Sequence, residues 1–146
     1  VMYRNLVVAL GGADDSSRVL AHATGLAKAA GARVRVLHVR AVDCVEPSTL
    51  GMAPSAPTLV REEQGVAREL VDRAVAELVG AGVDAYGDVV EAMRAEVAVT
   101  VSAAAASGNA DLIVVGAHQG GLLAALMGST GERVARLSPI PVLLVP

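Results

Sequence analysis

Glycine, serine and threonine gathered where a strand gives way to a helix are the residue types with which a chain holds a phosphate. Backbone N–H groups approach an anion only where no Cβ intrudes. Residues 116–130 read Gly-Ala-His-Gln-Gly-Gly-Leu-Leu-Ala-Ala-Leu-Met-Gly-Ser-Thr. The stretch follows the apolar run Leu112–Val115 and precedes a helical pattern that opens at Ser129. Ser129-Thr-Gly-Glu132 has the form of a capping box, which accounts for the serine without any ligand. The same helix start carries free N–H groups and the positive end of the dipole, and the hydroxyl can rotate from its cap to a phosphate oxygen. His118 lies in this loop, where it either reaches a phosphate or hydrogen-bonds to backbone.

Other chemistries find less support. A nucleophilic site would set Ser129 against His118 under an acid such as Asp14 or Asp15. The chain has neither the nucleophile elbow G-x-S-x-G nor the P-loop G-x-x-x-x-G-K-[S/T], and its one lysine, Lys28, falls in the first helical stretch. No catalytic residue is assigned. No two of the three histidines share metal-ligand spacing and Cys44 has no partner at C-x-x-C distance, so no metal ligand is assigned either. His38, ending a buried strand, reads as a satisfied core histidine.

The elements that must position this loop follow from composition and period. With 146 residues, 53% apolar and 18% charged, the chain reads as one α/β domain over residues 1–146, able to bury roughly two-thirds of its unfolded surface. A net charge of −3 gives no general attraction to nucleic acid or anionic membrane, and Tyr3 and Tyr86, the only aromatic residues, provide no stacking platform for single-stranded bases. The lone cysteine, the absence of a basic-then-apolar leader pattern and the absence of an apolar run near about 20 residues predict a cytoplasmic protein.

Leu6–Leu10 is a continuous apolar run of the kind buried on both faces of a parallel sheet. Gly11-Gly12 ends it. A helix follows with its stripe at Val19, Leu20, Ala23, Leu26, Ala27 and Ala30, stopped by Gly31. Val34–Val39 makes a second strand, and residues 41–57, holding three prolines without any period, predict a long loop. Helix is expected from near Thr58, packed through Val66, Leu70, Val71, Ala74, Val75 and Leu78. Val83–Val90 reads as a third strand, Glu91–Ser107 as an alanine-rich helix, Asp111–Val115 as a fourth strand, Ser129 to about Leu137 as a helix and Val142–Val145 as the last strand. The alternation implies one right-handed doubly wound parallel sheet of five strands with helices on both faces, a Rossmann-like architecture.

Four stretches in this order resemble the single-domain universal stress proteins: Met2–Leu10, Leu37-His-Val39, Ala110–His118, and Gly128-Ser129 through Pro146. The resemblance covers nearly the whole chain. It implies strand order 3-2-1-4-5, a ligand crevice beyond the carboxyl ends of strands one and four, and a role in stress response by binding or regulation. It further implies an adenine nucleotide, ATP or AMP, with Mg only if nucleotide is bound. By this resemblance the nucleotide contacts fall on Leu10, Gly11, Gly12, Val39, Gly116, His118, Gly120, Gly121, Gly128, Ser129 and Thr130. The family's ATP motif is G-x-x-G, nine residues, then G-[S/T]. Gly116, Gly128 and Ser129 match its ends, whereas Gln119 stands at the second glycine and the spacing is one residue short. Gly11 occupies the position where nucleotide-binding members carry an aspartate for the ribose, so weakened binding is expected. A nucleotide-independent interaction module is the alternative, and a slow nucleotide hydrolase is a third reading. The resemblance also implies a homodimer through the edge strand Val142, Leu143, Leu144 and Val145, a short uncharged edge suited to pairing with its own copy.

Overall fold

The buried apolar runs become neighbouring strands of one sheet. A computed structural model describes residues 2–11, 16–45, 51, 58–117 and 129–146. Its elements in chain order are β1 (Asn5–Leu10), α1 (Ser16–Ala30), β2 (Arg33–Val45), β3 (Thr58–Arg61), α2 (Gln64–Gly80), β4 (Ala85–Met93), a 3-10 turn (Arg94–Glu96), α3 (Val97–Ser107), β5 (Leu112–Gly116), α4 (Thr130–Leu137) and β6 (Val142–Val145). Five strands run parallel in the order β4-β2-β1-β5-β6. Counting only the five expected strands, this is the order 3-2-1-4-5.

Because successive side chains alternate across a strand, each central strand feeds two cores. Leu6, Val8, Leu10, Val34, Val36 and Val114 pack with Val19, Leu20, Ala23 and Ala27 of α1 and with Val71, Ala74 and Leu78 of α2. Val7, Ala9, Leu37, Val39, Ile113 and Val115 pack with Ala98, Val101 and Ala105 of α3 and Val134 of α4 on the other face. Each such valine or leucine contributes roughly 1.5–3 kcal/mol on full burial. Left-handed turns at Gly31 and Gly82, with φ of 64° and 88°, let α1 and α2 stop and return the chain to the sheet. Among the described residues no helix is long and apolar enough to cross a membrane.

The structure corrects the expected boundaries in four places. β2 does not end at Val39 but continues to Val45, so residues 41–45 are strand rather than loop. Thr58–Arg61 is not the start of a helix: it forms a sixth strand, antiparallel to β2 through Val42↔Arg61 and Val45↔Thr58. The cause is the overhang of β2, whose unpaired backbone edge recruits β3 and delays α2 to Gln64. With that later start the helix turns Ala67 inward and leaves Val66 54% exposed. The third expected strand and its helix also shift: β4 runs to Met93, so the residues from Glu91 are strand and 3-10 turn before α3 begins at Val97.

Close packing of α2 on β4 depends on one missing side chain. A Cβ at Gly87 would collide with Val71 Cγ1 and lie 3.0 Å from Val75 Cγ2, whereas a Cβ at Gly25, on the exposed side of α1, meets nothing within 4 Å. Gly87→Ala is therefore expected to destabilise the fold by about 1–3 kcal/mol through overpacking. Gly25→Ala should stabilise it by roughly 0.5–1 kcal/mol by removing a flexible residue from a helix interior. Urea unfolding of the two variants against the parent measures both signs.

Candidate functional site

The crevice arises from unequal strand lengths. The last pair between β1 and β2 is Leu10↔His38, and β3 joins β2 only from Val42. Val39, Arg40 and Ala41 therefore lie in a gap between two neighbours on one edge. The N–H of Arg33 bonds to β1 and that of Val34 to the β4 side, while the Ala41 carbonyl accepts from the Glu62 N–H at 3.3 Å. Odd-numbered residues of β2 thus direct their backbone groups to the edge that β1 and β3 share. By that alternation the Val39 carbonyl and the Ala41 N–H, one acceptor and one donor, point into the gap.

A cavity of about 270 Å³ opens there. Its described lining crosses the carboxyl ends of the strands in spatial order: Arg94 after β4; Leu37, His38, Val39 and Ala41 on β2; Ala9, Leu10 and Gly11 on β1; Val115 on β5; and Thr130 at the start of α4. Val97 and Val101 of α3 add an apolar wall, and Glu62, just past β3, closes one side. Neighbouring strands are about 4.8 Å apart, so a site spread over four of them spans on the order of 14 Å. Strand order reverses between β1 and β5, the place where ligands sit in open α/β sheets.

Two side-chain pairs hold the β2 end of this cavity. The His38 ring is buried, with Nδ1 2.8 Å from the Leu10 carbonyl oxygen and Nε2 2.9 and 3.0 Å from the two Glu62 carboxylate oxygens. Both partners are acceptors. The ring ties the end of β1 to the segment after β3. Arg94 meets Asp43 in a bidentate pair, Nε to Oδ1 at 2.7 Å and Nη2 to Oδ2 at 3.0 Å. That hydrogen-bonded guanidinium holds the Asp43 carboxyl below its ordinary value of 3.8 against a smaller opposing effect of burial. The Arg94 pKa is raised, first by the same hydrogen bond, with Glu62 adding a further attraction.

At the opposite end α4 begins. Ser129 is the N-cap, and its Oγ accepts from the Glu132 N–H at 3.1 Å, as the capping box predicts. A Cβ at Gly131 would collide with the Gly116 carbonyl oxygen and lie 3.1 Å from Leu144 Cδ2. Only glycine lets the first turn of α4 settle this closely on the end of β5, which places Thr130 at the cavity.

Of the residues the sequence nominated, Leu10, Gly11, Val39 and Thr130 share the cavity lining. Gly116 ends β5 beneath Gly131, and Ser129 turns its hydroxyl to the helix cap, so neither is part of that lining. Gly12, His118, Gly120, Gly121 and Gly128 lie outside the described residues. His38 is indeed a satisfied core histidine, and it is also a cavity residue. Glu62, Arg94 and Ala41 were missed. The sequence reading set Glu62 and Arg94 inside helices and Ala41 in a loop; the β-branched run Thr58-Leu-Val60 was the available signal for the extra strand that brings Glu62 in.

A doubly wound parallel sheet with its crevice at the reversal of strand order defines the Rossmann-like class. Within that class the chain belongs to the universal stress protein family, whose model matches residues 2–146. Solved structures agree on the fold. A universal stress protein in complex with cAMP is 23% identical with a TM-score of 0.72, covering 99% of this chain and 98% of that one. The Archaeoglobus fulgidus universal stress protein in complex with dAMP is 21% identical with a TM-score of 0.68, and all of both chains is covered. A family member from Burkholderia pseudomallei is 27% identical with a TM-score of 0.68, covering 99% and 97%. No match was found among curated proteins.

The Asp43–Arg94 pair has a pH signature. A carboxyl whose pKa is lower in the folded than in the unfolded chain contributes stability that is full above the unfolded value and is lost as pH falls through the folded one. Asp43 is therefore expected to titrate below 3.8 in the native protein, with the contribution of the pair fading in that acid range. Arg94→Ala should move the Asp43 midpoint upward toward 3.8, as read from the carboxyl carbon shift by NMR.

Proposed function

We propose that this universal stress protein binds an adenine nucleotide, AMP or ATP, in the crevice at the carboxyl ends of β2, β1 and β5, and that its output is binding or regulation in a stress response. The observation that carries the reading is the gap at Val39–Ala41. An acceptor and a donor on one strand edge, for which the described residues show no backbone partner, match the Watson–Crick edge of adenine, which presents an amino donor beside the N1 acceptor. Val97 and Val101 supply an apolar wall for the ring. The first N–H groups of α4 and its dipole favour the phosphate at the far end. The relatives solved with cAMP and dAMP carry ligands of the same class. Mg enters only with a bound polyphosphate.

The affinity is reduced relative to family members with the full motif. Gly11 lines the crevice without a carboxylate to accept from the ribose, and loss of a charge-assisted bond costs about 1.5–3 kcal/mol, roughly ten- to a hundredfold in affinity. The engagement of the Ser129 hydroxyl by Glu132 favours the second reading, an interaction module in which the segment up to α4 is a turn and a cap. The edge of β6, unpaired among the described residues and with Leu143 37% exposed, supports a homodimer in either case; a monomeric mass at tens of micromolar would count against it.

Thermal denaturation with AMP, Mg-ATP and inorganic phosphate separates the two readings. Stabilisation by AMP or Mg-ATP should emerge only at high micromolar to millimolar ligand, and mass spectrometry of the denatured protein should find little or no retained nucleotide. No stabilisation by any of the three at millimolar concentration leaves the interaction module.

A further inference from the structure

Glu62 places a carboxylate at the β2 end of the crevice. Its side chain is 33% exposed, and both its oxygens lie within 3.0 Å of His38 Nε2. A carboxylate has about four acceptor positions and no donor when ionised, so the bond to His38 leaves acceptor positions free. The backbone N–H of Glu62 bonds to the Ala41 carbonyl, which fixes this residue beside the gap where Val39 and Ala41 face the cavity. Arg94, the other charged lining residue, has its Nε and Nη2 engaged by Asp43, which is itself not part of the cavity lining. Glu62 is thus the acceptor-only group among the described cavity residues.

We infer that Glu62, braced by His38, selects a purine carrying a 6-amino group over one carrying a 6-oxo group. This rests on the nucleotide reading above. The amino group of adenine has two N–H bonds. The Val39 carbonyl accepts one of them, and Glu62 accepts the other. The backbone pair alone does not discriminate: hypoxanthine, turned over so that its N1–H meets the same carbonyl, sets its oxo group on the same Ala41 N–H, next to Glu62. Glu62 breaks that tie, because an oxo oxygen beside it sets two acceptors against each other with no proton between them. A neighbour that must stay unpaired when the wrong group enters is the strongest basis for discrimination at a polar site.

Calorimetric titration of the whole chain with AMP and with IMP tests the assignment. The protein is expected to bind AMP about tenfold or more tighter than IMP, the loss associated with a charged hydrogen bond. Glu62→Gln should shrink the difference to within about threefold, since a carboxamide accepts from an amino group or donates to an oxo group equally well. Glu62→Ala should weaken AMP while leaving IMP unchanged or improved, whereas partial unfolding would weaken both. Equal affinity for AMP and IMP in the parent protein, or an unaltered preference in Glu62→Gln, overturns the role of Glu62 and leaves nucleotide binding standing. Absence of AMP binding at millimolar ligand overturns both.

Discussion

β1 stops at Leu10 and β2 does not. Every other feature of the crevice depends on that difference in length. A strand that outruns its neighbour presents backbone groups that must be paired, solvated or covered, and β2 meets the requirement in two ways. Its last residues recruit β3 as an antiparallel partner, and the stretch between, Val39 to Ala41, lines the cavity with no strand partner on that edge among the described residues. An edge left open inside a fold is costly unless something polar occupies it, which is a physical reason for a ligand site at this position rather than elsewhere along the sheet.

The charged residues around the gap follow from the same overhang. His38 sits at the last paired position, so its ring can reach the Leu10 carbonyl, and β3 then delivers Glu62 to the other ring nitrogen. Arg94 falls just past Met93, the residue of β4 that pairs with Val42, and so meets Asp43 on the overhanging part of β2. Salt bridges on an open surface contribute little. These pairs matter chiefly as geometry, because they fix β3 and the turn after β4 against the overhanging part of β2. At the far end geometry is set by absence: without a side chain on Gly131, α4 approaches the end of β5 closely enough to aim its first turn at the cavity.

The parallel sheet was legible because buried strands announce themselves as unbroken apolar runs. Leu6–Leu10, Asp111–Val115 and Val142–Val145 each lie within a residue of the observed strand, and Ser129 caps its helix as its spacing to Glu132 requires. What the sequence hid was non-local. The continuation of β2 through Ala41-Val-Asp-Cys-Val45 is mixed in polarity because part of it pairs outside the doubly covered core, and the four exposed residues of β3 have no buried face to give a period. Glu62 and Arg94 were consequently placed on helices, where their proximity to His38 and Asp43 was invisible. The residues contributed by the strand ends, Leu10, Gly11 and Val39, were legible through the resemblance to relatives, whereas the side chains that distinguish this crevice required the register.

The central claim is that a purine nucleotide occupies the gap at Val39–Ala41 with its phosphate toward α4. Backbone amide shifts followed by two-dimensional NMR during titration with AMP test it most directly. Saturable shifts are expected at Gly11, Ala41, Glu62 and Arg94 around the base and ribose, and at Thr130 and Gly131 around the phosphate, with residues at the amino ends of the strands, such as Asn5 and Arg33, unmoved. Shifts confined to the amino ends or to the β6 edge, or none at millimolar AMP, would contradict it.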